Sequence, residues 1–215
     1  MPRVDINSVP EAERRCEVFV IGCGPAGSTI GALLAEKGRD VAVVDKDRHP
    51  RFHIGVSLLP LNMPILQRLG VWEELSQIGI RKDAAEFESH MHGKTVCFEF
   101  SQAFDKRWPH AFQVRRSEFD HMLLRNAATK GARVHEGARV TSVEFGNLAR
   151  NEDTVVTVRL DDGATQVWRT RFLVDASGRD TFLSDRFGIK RKNKKHASAA
   201  LFGHFRNARR NPGSA

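Results

Sequence analysis

Residues 17–45 read EVFVIGCGPAGSTIGALLAEKGRDVAVVD, and this stretch decides the fold. The apolar run 17–21 suits a strand buried on both faces of a parallel sheet. Residues 26–37 place Ile30, Leu33 and Leu34 on one helical face, and Gly38 stands in the C′ position that stops the helix. Residues 41–44 (VAVV) form a second buried strand. Strand, helix and strand within about thirty residues predict a parallel pair joined by a right-handed crossover.

The first join is Gly22-Cys23-Gly24-Pro25-Ala26-Gly27, a G-x-G-x-x-G set between strand and helix. That context separates a dinucleotide fingerprint from a chance match. Gly22 permits the tight turn. Gly24 has no Cβ to keep a pyrophosphate off the backbone. Gly27 is read as the position that lets the helix pack close to the sheet. A pyrophosphate there accepts hydrogen bonds from the N–H groups of the helix N-terminus, with the helix dipole in support. Asp45 ends the second strand, where a carboxylate takes both ribose hydroxyls.

Further along, an amphipathic helix is expected over 63–69 with Gly70 as its stop. One or two antiparallel strands are expected over 87–100, around a turn at His92-Gly93. Ser117 is read as the N-cap of a helix running to Lys130, with Phe119, Met122, Leu123 and Ala127 at helical spacing and Gly131 ending it. Strands follow over 133–135, 138–145 and 154–160. A hairpin turn at Asp161-Asp162-Gly163 leads to 165–168, and a short buried strand at 172–174 ends in Asp175-Ala176-Ser177-Gly178. The fold class is therefore α/β: a Rossmann-like nucleotide-binding domain with a parallel sheet and an antiparallel β-meander, followed by the beginning of an antiparallel sheet.

The chain has 215 residues, 40% hydrophobic and 28% charged, ordinary for a globular protein. No apolar run approaches the roughly 20 residues a membrane-spanning helix needs. Residues 1–15 lack an apolar core of the secretory type and read as a polar, poorly ordered leader. Cys16, Cys23 and Cys97 show no C-x-x-C spacing, so reduced thiols and a cytoplasmic location are expected. The net charge of +8 is local. Nine of the 34 basic residues lie from Arg186 onward and no acid follows Asp185, which leaves 25 basic against 26 acidic groups before that point. This reads as a solvated basic stretch rather than a nucleic-acid surface. His90 and His92 point one way on a strand, but the sequence offers no third metal ligand. No G-x-S-x-G elbow marks a hydrolase.

Two later segments choose between dinucleotides. Val114-Arg115-Arg116-Ser117-Glu118-Phe119-Asp120 and Asp175-Ala176-Ser177-Gly178 resemble the flavoprotein group that holds aromatic hydroxylases, geranylgeranyl reductases and flavin-dependent halogenases. The resemblance implies FAD, with Arg116 reaching the cofactor and the D-A-(S/T)-G segment beside the nucleotide. A helix-start ion pair is the alternative for Arg116, and a strand-end turn the alternative for Asp175.

Phe52-His53-Ile54-Gly55-Val56-Ser57-Leu58-Leu59-Pro60 is similar to the F-x-(I/V)-G-E-S-L-L-P segment of flavin-dependent halogenases. Gly79-Ile80-Arg81-Lys82-Asp83-Ala84-Ala85 resembles their G-(F/I)-x-x-K-x-(A/G)-A stretch. The resemblance covers nearly everything from Val18 to Phe205. It implies reduced FAD, O₂ and halide giving hypohalous acid, which the lysine matched by Lys82 either aims by a hydrogen bond or captures as a haloamine, toward an aromatic or carrier-protein-bound substrate; a solvated loop lysine is the alternative for Lys82. A separate flavin reductase would be the partner. The cofactor-binding residues it implies are Gly22, Gly24, Pro25, Ala26, Gly27, Asp45, Lys46, Ser57, Arg116, Val140, Asp175 and Gly178.

Two departures stand out. The family glutamate is Val56 here, and the family's W-x-W-x-I-P and G-D segments would lie beyond Ala215. The expectation is a truncated form: a discontinuous FAD-binding domain over 16–86 and 113–192, with strands of an incomplete substrate-binding domain over 87–112 and 197–215. An aromatic hydroxylase or a geranylgeranyl-reductase-like enzyme is the alternative, and a non-catalytic nucleotide-binding remnant is the alternative of another class.

Overall fold

The computed structural model describes residues 13–191, 193, 195, 201–203, 206 and 207. The expected leader up to residue 12, and the expected sheet start at 199–205 apart from 201–203, lie outside the described residues. Contacts divide the chain into two compact units, residues 1–49 with 123–189 and residues 50–122 with 190–215.

The first unit is built on a six-stranded sheet. β1 (Arg14–Ile21) and β2 (Val41–Val44) flank helix α1 (Pro25–Glu36), as the opening stretch predicts. β1 begins at Arg14, inside the stretch read as leader, because Arg14 and Arg15 pair with Trp168 and Arg169. The second unit contributes β3 (Val56–Ser57), α2 (Met63–Leu69), α3 (Trp72–Ile78), β4 (Ile80–Lys82), β5 (Ala84–Ser89), β6 (Lys94–Glu99) and β7 (Ala111–Val114). Helix α4 (Arg116–Thr129) follows. β8 (Arg133–His135), β9 (Ala138–Glu144), β10 (Thr154–Leu160), β11 (Thr165–Asp175) and α5 (Phe182–Arg186) complete the first unit.

Strand order in the large sheet is β8-β2-β1-β11-β10-β9. β8, β2, β1 and β11 run parallel, and β10 and β9 add the antiparallel meander. The strands expected at 165–168 and 172–174 are one. β11 pairs antiparallel with β10 through residues 165–170 and parallel with β1 through residues 168–175. Polar residues 169–171 hide this continuity in the sequence. Thr170 is nevertheless fully buried, its hydroxyl donating to the carbonyls of Glu17 and Phe172.

The central parallel strands, β2 and the last four residues of β1, are buried on both faces, as a parallel sheet requires. Phe19, Ile21, Ala42 and Val44 join Val143, Val156, Val158 and Trp168 on one side. On the other, Gly31 of α1 approaches Val43, Ala127 and Ala132. Trp168 is the largest fully buried side chain; Phe19 meets it edge-on at 5.5 Å, and Arg14 and Arg133 stack over it.

In the second unit β3-β7-β4 form a three-stranded antiparallel sheet, and β5-β6 form a hairpin. Phe87, Val96 and Phe98 of that hairpin are exposed. Among the described residues no helix is long and apolar enough to cross a membrane. Helix α4 starts at Arg116, with the Arg115 carbonyl accepting from Phe119 N–H, so Ser117 lies inside the first turn and is not the N-cap.

Candidate functional site

The glycine loop leaves the end of β1 and enters α1 in three residues. Gly22 takes φ +102°, a left-handed conformation that glycine adopts without penalty, and its N–H donates to the Val44 carbonyl at 2.7 Å. Gly24 is the N-cap in extended conformation and Pro25 opens the helix; no side chain caps this end. The N–H groups of Ala26 and Gly27 therefore sit in a first turn that has no intrahelical acceptors. Ser28, fully buried, fixes the loop from behind by donating its hydroxyl to the Cys23 carbonyl at 2.9 Å.

Space explains two of the glycines. A Cβ on Gly27 would stand 1.8 Å from the Gly22 carbonyl oxygen, and one on Gly22 would stand 2.5 Å from the Ala176 carbonyl oxygen. Gly27 thus makes room for the turn itself. The close helix-to-sheet approach assigned to it belongs to Gly31, whose Cβ would come 2.7 Å from Val43 Cγ2. Gly31 lies one turn beyond Gly27, and that i, i+4 repeat of glycine is the signal that could have identified it.

Asp45 follows β2 directly and is almost completely buried. Its Oδ2 accepts from Cys23 N–H at 2.7 Å and its Oδ1 from Asp47 N–H at 2.9 Å. One carboxylate therefore ties the strand end to the glycine loop. Lys46, next in sequence, ion-pairs with Asp180. The Lys46 hydrogen bond holds the Asp180 carboxyl below the usual carboxylate range.

The Asp175-Ala176-Ser177-Gly178 segment closes the loop from the far side. Ala176 N–H donates to the Ile21 carbonyl at 2.9 Å. Asp175 accepts from Ser177 N–H at 3.0 Å and Leu183 N–H at 2.8 Å, while Ser177 Oγ accepts from Phe182 N–H at 3.0 Å. Asp175 thus shapes the turn into α5, and the segment's backbone is what faces the glycine loop. Gly178 has φ +65° with open space where a Cβ would be. The Val140 side chain belongs to the core, beside a register shift at residues 157 and 158 of the partner strand.

Three expected residues lie in the second unit. Lys82 Nζ donates to Ser57 Oγ at 2.6 Å. Val56 pairs with Val114 in the register where Ser57 pairs with Gln113. It therefore lies on the opposite pleat from Ser57, and a glutamate in its place would share that opposite pleat. Arg116 forms a bidentate pair with Asp120, Nε to Oδ1 and Nη2 to Oδ2, both at 2.7 Å, and Asp120 is fully buried. This is the helix-start ion pair weighed for Arg116, and its buried partner Asp120 closes the same segment, Val114 to Asp120. His90 faces Glu88 and His92 pairs with Ser89; among the described residues no three metal-ligating groups come together.

The first-unit residues fit a dinucleotide. The loop rejects any Cβ at Gly22 or Gly27, the helix end is uncapped by side chains, and a buried carboxylate stands beside it. A family model described as an FAD binding domain matches residues 15–209. The flavin-dependent halogenase armH3 of Armillaria mellea is 34% identical over 196 residues, 90% of this chain and 38% of that protein. A 1H-pyrrole-2-carbonyl peptidyl-carrier-protein chlorinase of Pseudomonas fluorescens is 31% identical over 211 residues, 89% of this chain and 45% of that protein. The chain thus spans about two fifths of the length of these curated relatives. Among solved structures, a flavoprotein/dehydrogenase from Cytophaga hutchinsonii aligns with a TM-score of 0.75 at 34% identity, over 81% of this chain and 42% of that one. The myxobacterial chondrochloren halogenase CndH aligns with a TM-score of 0.70 at 34% identity, over 77% of this chain and 38% of that one. The chain belongs to the FAD-binding-domain family, within the flavin-dependent halogenase and monooxygenase group, and FAD is its cofactor.

Proposed function

We propose that the chain forms the FAD-holding part of a flavin-dependent halogenase. The observation that carries this reading is the cradle of Gly22, Gly24 and Gly27 at the uncapped start of α1, with Asp45 buried beside it. The N–H groups of Ala26 and Gly27 hold the pyrophosphate, and Asp45 takes ribose hydroxyls. When bound and reduced, FAD supplies the activation of O₂ that oxidises chloride or bromide to hypohalous acid. Lys82 is the catalytic candidate: its half-buried amine donates a hydrogen bond to the oxidised halide and aims it at the substrate.

The pyrrole-2-carbonyl chlorinase relative supports an aromatic substrate carried on a peptidyl-carrier protein. A separate reductase supplies electrons. Cys16, Cys23 and Cys97, none of them in a disulfide, suit the reducing cytoplasm. In domain terms, residues 16–86 and 113–192 serve the cofactor, and residues 87–112 and 197–215 belong to a substrate-binding sheet.

FAD titration followed by flavin fluorescence tests the first step; protein that stays colourless in excess FAD would refute it. Halide-dependent product formation that disappears in Lys82→Ala supports the halogenase reading, and product formed without any halide dependence opposes it. A reductase or hydroxylase is the second reading. It is favoured by Val56 in place of the halogenase glutamate and by the likeness to a flavoprotein/dehydrogenase.

A further inference from the structure

We infer that Ser57 is the positioning residue of the Lys82 amine and that Ala111 gives the amine its path. The inference rests on the reading of Lys82 as the reacting amine and replaces the cofactor role that the sequence neighbourhood suggests for Ser57. Ser57 lies on edge strand β3, opposite Gln113; Lys82 lies on the other edge strand, β4, opposite Ala111. Residues 111 and 113 share one pleat of the central strand β7, so Ser57, Ala111 and Lys82 emerge on the same face.

Two inter-strand spacings separate the edge strands, roughly 10 Å. A lysine stem crosses that gap only where the central strand puts no bulky side chain in its way. Ala111, fully buried beside Lys82, puts only a methyl at the start of that crossing, and Gln113 flanks its end at Ser57. The crossing ends on Ser57 Oγ at 2.6 Å from Nζ. Among the described residues no carboxylate forms an ion pair with Lys82: the neighbouring Asp83 pairs with Arg81 at 2.9 Å instead. A hydroxyl orients the amine by one hydrogen bond and adds no charge of its own. That leaves the amine's remaining hydrogens for another acceptor.

The test is competitive acetylation of the full chain with acetic anhydride at fixed pH, read lysine by lysine by peptide mass spectrometry, with exposed Lys94 and Lys106 as internal references. Ser57→Ala is expected to speed acetylation of Lys82 by about fivefold, the ratio of one hydrogen bond, with the references unchanged. Ser57→Thr restores the slow rate. Ala111→Leu, with Ser57 intact, also frees the amine because its stem loses the crossing. Equal Lys82 rates in wild type and Ser57→Ala, or no rescue by Ser57→Thr, would overturn the inference. The two readings fail separately. If Lys82→Ala leaves halide-dependent product formation intact, the catalytic assignment falls, while the labelling still decides whether Ser57 holds the amine.

Discussion

The glycine loop of the first unit is held through its own main-chain groups, with acceptors and donors from the backbone and from buried Asp45 and Ser28, whereas the Lys82 corner of the second is held by side chains alone. Gly22 N–H, Cys23 N–H and Ala176 N–H each have an acceptor within 2.9 Å, and β1 beneath them is in register with β2 and β11. The last four residues of β1 are all buried, while β6 of the second unit has none buried. Ser57 and Lys82 stand on strands of two and three residues and meet through one hydrogen bond. A site made of backbone tolerates no added atom. A site made of side chains tolerates exchange for a side chain of the same chemistry. The first should therefore fail by steric exclusion and the second by loss of a single contact.

Gly27→Ala tests that contrast most severely. Its Cβ would lie 1.8 Å from a carbonyl oxygen that belongs to the turn and has nowhere to go. We expect a loss of about 3 kcal/mol in urea unfolding, the upper range for overpacking, and no FAD binding at concentrations that saturate the wild type. Gly163→Ala is the control: φ is +89°, but nothing lies within 4 Å of the added carbon, so only the backbone conformation is penalised, by about 1 kcal/mol. Equal effects from the two substitutions would mean that the loop yields.

Asp45→Ala comes next. It leaves Cys23 N–H without its buried acceptor and Asp47 N–H without its own, a loss of about 2 kcal/mol. FAD affinity should fall by about tenfold or more, since each factor of ten corresponds to roughly 1.4 kcal/mol. Asp45→Asn keeps one acceptor oxygen and should fall between wild type and Asp45→Ala in both measurements. Unchanged affinity in Asp45→Ala would confine the carboxylate to a structural role.

The same contrast explains what was legible in the sequence. Val41–Val44, Thr154–Leu160 and Met63–Leu69 were readable because the residues that define them are neighbours along the chain. Gly22 and Ala176 each lay in a readable motif, but their contact joins positions far apart in sequence and depends on the β1–β11 register. β11 was read as two strands because Arg169 and Arg171 interrupt its apolar pattern. Ser117 satisfied the composition of an N-cap, yet the cap falls two residues earlier, at Arg115, and Arg116 enters the helix. The Ser57–Lys82 pair had no local signal, since only the pairing of both strands with β7 brings the two residues onto one face.

Arg116 provides an intermediate effect. The fully buried Asp120 carboxylate is satisfied by both guanidinium nitrogens, while the arginine itself keeps about a fifth of its surface exposed. Removing one partner of a buried pair is strongly destabilising, and partial exposure moderates that. Arg116→Ala should therefore lower stability by about 2 kcal/mol. Arg116→Lys recovers only part of it, because an ammonium does not reproduce the bidentate fork. If Arg116 also reaches the cofactor, Arg116→Lys will weaken FAD binding at temperatures where the variant is fully folded. FAD affinity that stays at the wild-type value would limit the residue to its ion pair with Asp120.

The smallest effect belongs to Lys46. Its pair with Asp180 joins two side chains that are both substantially solvent-accessible, so screening limits its contribution to well under about 1 kcal/mol at moderate salt. The Asp180 carboxyl is nevertheless held below the ordinary aspartate range. A lowered folded value means that its contribution is present above the unfolded value and is lost as pH falls through the folded one. Lys46→Ala removes the main cause of that shift, so its stability difference from wild type should be small and constant near neutral pH and should vanish in acid. A difference that instead grew on acidification would assign the shift to another group. FAD titration of Lys46→Ala separates its two possible duties. Affinity reduced well beyond the stability change places the ammonium on the nucleotide. Unchanged or improved affinity means that Lys46 serves Asp180, and that the turn at residues 178–180 is fastened to the end of β2 by side chains even though the loop between them is fastened by backbone.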